Sequence, residues 1–331
     1  SSDLIDALDD DENGEDAGLK EILTEENFKK YKNMVTASLF KAYFEQADKS
    51  IKHSLLTQYR MHSDIMNVIN RFYDGRLKNG LSRETENKAK AHNLKIDGID
   101  GSSFIQPKNH VYWLDSSFLP SGTPINETFR ENSTSACNVL EKHIILELLK
   151  KIAAEYKAQG HKLTKNDDGT ETDTRISVGI ISFYQRQVNE IRSEVKKIRA
   201  SKEFKSDFES LDIDVNTVDR FQGKEKNIII TSLVRNNKFA RASKHVVTYE
   251  RINVAFSRAQ NLLFIVGAKH MYSKLQITIP KMDGEGELTL PVYENIISDL
   301  ERHGCFAKTS KLIPTDLEKS ILAEYKAMGG K

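Results

Sequence analysis

An α/β layer sandwich around a mostly parallel central sheet is the fold that the sequence predicts, and three observations support it. Val111–Leu114, Ile176–Phe183, Ile228–Val234 and Leu262–Val266 are short, continuously apolar runs, which fit parallel strands covered on both faces better than half-exposed ones. Segments with apolar residues three and four apart alternate with them: Ile65, Val68, Ile69 and Phe72 within Asp64–Tyr73, then Val139, Leu140, Ile144, Leu148 and Ile152 within Ser135–Tyr156, then Gln185–Ile198 and Tyr249–Ala259. That spacing marks helices with one buried face, and alternation of this kind argues for right-handed crossovers in a layered sheet. The third observation is size and balance: 331 residues, 38% apolar and 29% charged, suit a globular protein with a proper core.

The other segments follow in chain order. Residues 1–20 are acidic and read as a disordered leader, and residues 21–50 as a helical lead-in, because Phe28, Tyr31, Val35, Leu39 and Tyr43 recur at helical spacing. The main domain is expected over 51–305, with Phe306–Lys331 as a C-terminal tail or helix. Polar stretches at Asn79–Asn109, Gly160–Arg175 and Lys281–Glu287 read as insertions; Asp-Gly pairs in the last two favour tight hairpin turns. No apolar run approaches the roughly 18 residues that span a bilayer, and the acidic start is unlike a secretory signal, so the expectation is an intracellular protein, cytoplasmic or nuclear, without a membrane partner. Cys137 and Cys305 are far apart and the nine histidines are scattered, which indicates neither a disulfide framework nor a metal site made by protein side chains. Ser1 to Asp16 carries eight acids and no base, so the remainder holds 49 Lys and Arg against 40 acids, a formal +9. That excess is compatible with a nucleic-acid phosphate track and equally with a solvated surface.

Three stretches carry chemistry: Gln58-Tyr59-Arg60-Met61-His62, Thr217-Val218-Asp219-Arg220-Phe221-Gln222-Gly223-Lys224-Glu225, and Asn253-Val254-Ala255-Phe256-Ser257-Arg258-Ala259. A motor that burns nucleotide at a seam between two lobes needs positive charge at the γ-phosphate, a planar side chain for the base and an acceptor for the ribose. Arg60 and Arg258, Tyr59 and Glu225 are the right types, since a guanidinium stays ionised and presents a planar fork of donors to phosphate. Gln58–His62 follows the strand-like Leu55-Leu56 and leads into a helix, so its side chains are expected at the carboxyl edge of a sheet, where ligands gather in such folds. Ser182, at the end of its strand, is read either as a phosphate contact at a helix start or as a plain N-cap.

In order and spacing these pieces resemble the second motor domain of the Upf1-like, or Dna2/Nam7, branch of superfamily 1 helicases, with its Q-Y-R-M-H-P, T-P-Y-x-x-Q, T-V-D-x-F-Q-G-x-E and N-V-A-x-T-R-A signatures. The likeness runs from about Thr36 to about Gly304. It implies a RecA-like three-layer sandwich and use of ATP with Mg²⁺. Tyr59 would stack on adenine, Arg60 reach the γ-phosphate, Glu225 accept from the ribose and Arg258 act as arginine finger; Gln58 and Gly223 fall on the same nucleotide side, Gly223 allowing close backbone approach. Ser182, Tyr184, Thr217 and Arg235 fall on the side of a single strand of DNA or RNA, with Arg235 equally able to serve as a structural ion-pair partner. Arg251, seven residues before Arg258, is a buttress for the finger, a phosphate contact or, equally, a solvated arginine. Ser63, Phe183 and Arg220 depart from the family pattern, which has proline, proline and a small residue there.

The 331 residues contain no G-x-x-x-x-G-K-[ST] loop and no apolar strand ending in Asp-Glu. The expectation is therefore the C-terminal half of a motor whose N-terminal RecA-like lobe supplies the P-loop and holds the metal, leaving this half inactive alone. A catalytically silent RecA-like nucleic-acid-binding or protein-interaction module is the alternative.

Overall fold

The computed structural model describes residues 55–73, 75–165, 169–281 and 286–330. The expected leader and helical lead-in lie outside them. The main elements are α1 (Ser63–Ile69), α2 (Arg83–Ala89), β1 (Val111–Asp115), α3 (Val139–Ala158), β2 (Ile176–Ser182), α4 (Gln185–Ala200), β3 (Leu211–Thr217), β4 (Lys226–Ser232), α5 (Tyr249–Phe256), β5 (Ala259–Gly267), α6 (Val292–Arg302), β6 (Phe306–Lys308) and α7 (Thr315–Ala327). The six strands form one sheet in the order β6-β1-β5-β4-β2-β3, and every neighbouring pair is parallel. Helices α3 and α4 pack on each other and on the sheet, with α7 on α3; α1 and α5 contact each other and strands β5 and β4, and α6 contacts β1 and β6. This is the RecA-like sandwich.

The central strands form where the sequence has no polar residue to spare. From Ile228 to Ser232 every residue of β4 is buried, as is Asn261 to Gly267 of β5, because helices cover both faces. Edge strand β3 keeps polar Asp212, Asp214 and Asn216 half-buried, so it lacks an apolar run. Among the boundaries that differ from the sequence expectation, two have their cause in the sheet. The helix expected over Tyr249–Ala259 stops at Phe256, because Ala259 already pairs with Lys226 in the sheet. Phe306–Lys308, expected within a tail or helix, pairs with Trp113–Asp115 and closes one edge; only then does α7 begin, packing on α3.

Two of the polar stretches are hairpins, as expected: Leu163–Lys165 pairs with Glu171–Asp173, and Ile277–Pro280 with Glu287–Leu290, both antiparallel. The third stretch, residues 79–109, is more than a surface insertion. It carries α2 and a short antiparallel pair, and buries Glu86, His92, Leu94, Ile96, Phe104 and Ile105. Three imidazoles dock it to the amino side of the sheet. His62 stacks on His110 with ring centroids 3.4 Å apart, and His92 meets the same ring edge-on at 5.0 Å. His92 accepts from Leu94 N on Nδ1 and faces Asn109 O with Nε2 at 3.0 Å, while His110 Nδ1 faces Asn261 O at 2.6 Å.

Burial, reinforced by the neighbouring imidazoles, holds His92 down to about 4, and burial lowers His62 and His110 as well. A group kept neutral in the fold contributes stability that is present above the unfolded pKa of 6.5 and lost as pH falls towards the folded value. Buried Glu141 of α3, raised to about 7 chiefly by burial, runs the other way. The histidine contribution is therefore read as a difference: between pH 7.5 and 5.0 the wild type should lose on the order of 2 kcal/mol more urea stability than His92→Gln. Parallel pH profiles for the two proteins would show that His92 titrates normally in the fold.

Candidate functional site

Parallel register builds the first half of the site. Lys226 and Ala259 are partners at the starts of β4 and β5, and Lys226 N donates to Arg258 O at 3.1 Å. The residues just before these strands, Glu225 and Arg258, are thereby set side by side at the amino edge. The Gln58–His62 loop joins them because His62 N donates to Gln260 O at 2.9 Å. Its short strand, Thr57–Gln58, pairs with Lys78–Asn79 in a separate ribbon. The loop therefore lies at the amino edge of the main sheet, and the expectation of a carboxyl-edge position is corrected.

Glu225 is the hub of this rim. Its carboxylate takes Arg60 Nε at 2.5 Å on one oxygen and Gln260 Nε2 at 3.0 Å on the other. Arg258 is 9% exposed and its buried Nε has no hydrogen-bond partner. Burial, then the charge of Arg60, push Arg258 below its ordinary pKa while Glu225 pulls it back, so the two guanidiniums lie close enough to feel each other. Lys90 stands nearby: burial lowers it, and Glu225 and Glu86 oppose that shift.

Tyr59 is 62% exposed, and its ring lies over Gly80, where a β-carbon would run into it. Gln58 was expected on the nucleotide side, but its amide is spent on its own turn: Oε1 accepts from Arg60 N and Met61 N, both at 2.9 Å, and Nε2 donates to Met61 O at 3.1 Å. It shapes the loop that presents Arg60. Gly223 has φ +82° in open space, so its role is the left-handed turn leading to Glu225, a conformation that costs other residues about 1–2 kcal/mol. Ser63, standing where the family signature has proline, donates its N–H at 2.6 Å and its hydroxyl at 2.9 Å to buried Glu86, which also accepts from Asn79 Nδ2. A proline could make neither bond. Sequence reasoning missed Gln260, Lys90 and Glu86. Gln260 adjoined a recognised motif, but the other two lay in a stretch whose polarity spoke only of surface.

The second half lies at the other end of the strands. Ser182, Thr217 and Ser232 end β2, β3 and β4 in register. Thr217 is half-buried at the rim. Ser182 is fully buried: its hydroxyl faces Ser232 O at 3.3 Å and Tyr184 N at 3.4 Å. It is neither an exposed phosphate contact nor the N-cap of α4, which is Tyr184. Tyr184 is itself buried, with its hydroxyl 2.5 Å from Ser243 Oγ. Arg235 realises its structural alternative, with Nε 2.9 Å from buried Glu127. Arg251 pairs with Asp219 at 2.8 Å, on a helix that ends before Arg258. Beneath this edge Glu141 accepts from Ser232 Oγ at 2.6 Å, Val234 N at 2.8 Å and Ser116 Oγ at 3.1 Å. Val234 takes φ +70°, a strained conformation for a branched side chain that its neighbours must hold in place.

A family model, AAA_12, described as an AAA domain, matches residues 35–270. The chain is 29% identical over 258 residues to the DNA replication ATP-dependent helicase/nuclease dna2 of Schizosaccharomyces pombe, covering 76% of this chain and 16% of that protein. It is 28% identical over 246 residues to helicase SEN1 of Saccharomyces cerevisiae, covering 73% and 10%, and 24% identical over 246 residues to human DNA2, covering 70% and 20%. It therefore spans a fifth or less of the length of these relatives. With the sheet order, the Arg60–Glu225–Arg258 rim and the family match in agreement, the chain belongs to the AAA_12 family and is a Upf1-like, Dna2-type superfamily 1 helicase domain.

Proposed function

We propose that this domain is the C-terminal motor lobe of an ATP-dependent helicase or translocase, closing on a nucleotide held by an N-terminal RecA-like lobe and gripping single-stranded DNA or RNA at its carboxyl edge. The observation that carries the reading is the buried, unpaired Nε of Arg258 beside an Arg60–Glu225 pair on one rim. An arginine kept largely desolvated without an acceptor fits a polyanion that arrives from outside. The relatives' names, ATP-dependent helicase/nuclease and helicase, support a helicase motor.

Bound ATP with Mg²⁺, the metal held by the other lobe, would supply the transferable phosphoryl group. The residues of this chain do the rest. Arg258 offers its fork to charge developing on the γ-phosphate, as arginine fingers do. Arg60 exchanges Glu225 for phosphate oxygen, and that exchange frees Glu225 to accept from a ribose hydroxyl. Tyr59 offers its exposed face to the base. When the phosphate leaves, Arg60 returns to Glu225 and the lobes loosen. At the far end of β4 and its neighbours, about 20 Å away, Thr217 and the backbone amides around it hold the strand.

Three outcomes test this. In a polypeptide carrying both lobes, Arg258→Ala should lower strand-stimulated ATP turnover by about a thousandfold or more while leaving oligonucleotide affinity largely unchanged; unchanged turnover would remove the finger assignment. The purified 331 residues alone should show no ATP hydrolysis, and measurable turnover would sink the two-lobe account. Gly80→Ala, which pushes the Tyr59 ring aside, should raise KM for ATP roughly threefold to tenfold, the worth of one aromatic stack. Thermal unfolding should stay where it was, and a normal KM would mean that Tyr59 does not meet the base.

A further inference from the structure

The loop after β4 is built unlike an ordinary surface loop. From Arg235 to Tyr249 it contains Arg235, Lys238, Arg241, Lys244 and His245 and no acidic residue. It is also closed on itself. Asn237 Nδ2 donates to Arg241 O at 3.0 Å, Arg241 N returns a bond to Asn237 Oδ1 at 2.8 Å, and Arg235 Nη2 donates to Arg241 O at 2.9 Å. Buried Glu127 fixes its base, accepting from Asn236 N at 2.7 Å and Asn237 Nδ2 at 3.0 Å. Its far side is tied to Tyr184 through Ser243. These bonds place the loop at the carboxyl edge, next to the ends of β2 and β4.

The closed frame projects an aromatic. Phe239 is 72% exposed, with the Arg241 guanidinium 5.2 Å from its ring centre. A second aromatic, Phe129, is 43% exposed and lies 5.4 Å from the Arg235 guanidinium. Each exposed ring thus has a guanidinium beside it, and Lys238, Arg241 and Lys244 are exposed around them. A single exposed phenylalanine is ordinary; what sets Phe239 apart is its seat on a loop tied down at both ends, among exposed Lys238, Arg241 and Lys244. Exposed rings flanked by positive charge suit a chain whose flat bases stack and whose phosphates are anionic. A duplex keeps its bases stacked inside, so the complementary ligand is a strand with unpaired bases.

We infer that Phe239 is a base-stacking residue for single-stranded nucleic acid, with Arg241 on one ring face, a base taking the other, and Lys238 and Lys244 meeting the adjoining phosphates. This deepens the reading that the carboxyl edge grips a strand, and it rests on that reading. Fluorescence anisotropy with short oligothymidylate, oligouridylate and an abasic oligomer of the same charge tests it. Phe239→Ala should lose about fivefold to a hundredfold in affinity for the base-bearing strands and bind the abasic strand as the wild type does. Phe239→Trp should keep the affinity, and its emission should be quenched by base-bearing strands alone, buried Trp113 serving as the silent background. Unchanged affinity in Phe239→Ala, or an equal loss towards abasic and base-bearing strands, would overturn the stacking role and leave the carboxyl-edge reading intact. If the wild type binds none of the strands, the carboxyl-edge reading falls and the stacking role falls with it.

Discussion

The pairing of Lys226 with Ala259 is the constraint from which the rest of the site follows. Two parallel strands that begin in register place their preceding residues together, whatever the distance between them along the chain. Glu225 and Arg258 meet for that reason, and the hydrogen bond from His62 N to Gln260 O brings Arg60 to the same corner. No long-range charge attraction has to find this arrangement during folding. The backbone ladder delivers it.

The electrostatics of that corner are then a balance among few groups. Arg60 and Arg258 repel each other, and burial disfavours the charge on Arg258. One carboxylate, Glu225, offsets both effects and is itself steadied by Gln260. Breaking such a set from the carboxylate side leaves two neighbouring cations, one of them largely desolvated, which is costly. The balance is uneven: Arg60 is paired directly with Glu225, whereas Arg258 feels that carboxylate without a hydrogen bond to it.

Much of the fold was legible because central parallel strands need apolar residues on both faces, as Ile228–Ile230 and Leu262–Val266 have. The edge strands were harder. Leu211–Thr217 is wetter on one face, and Phe306–Lys308 is only three residues long. The charged members of the rim were legible from residue type and order, but the end of the sheet that holds them was not, since Thr57–Gln58 pairs outside the main sheet. Burial separated the carboxyl-edge candidates in a way that no local pattern reveals: Ser182 and Tyr184 are committed inside the protein, Arg235 is half-buried against Glu127, and Thr217 stays at the rim. Glu86 and the three imidazoles were hidden because a buried polar cluster resembles a surface segment until its partners are known.

Strand β4 has a mechanical consequence. It is flanked on both sides by parallel neighbours and runs from Lys226, just after Glu225, to Ser232, two residues before Val234 turns into the basic loop. An extended chain clamped in this way can neither stretch nor slip by less than a whole register. It forms a rod with one irregular joint, on the arginine side: the stretch paired without interruption to both neighbours is Ile228–Ser232, and between Lys226 and Ile228 the register with β5 shifts.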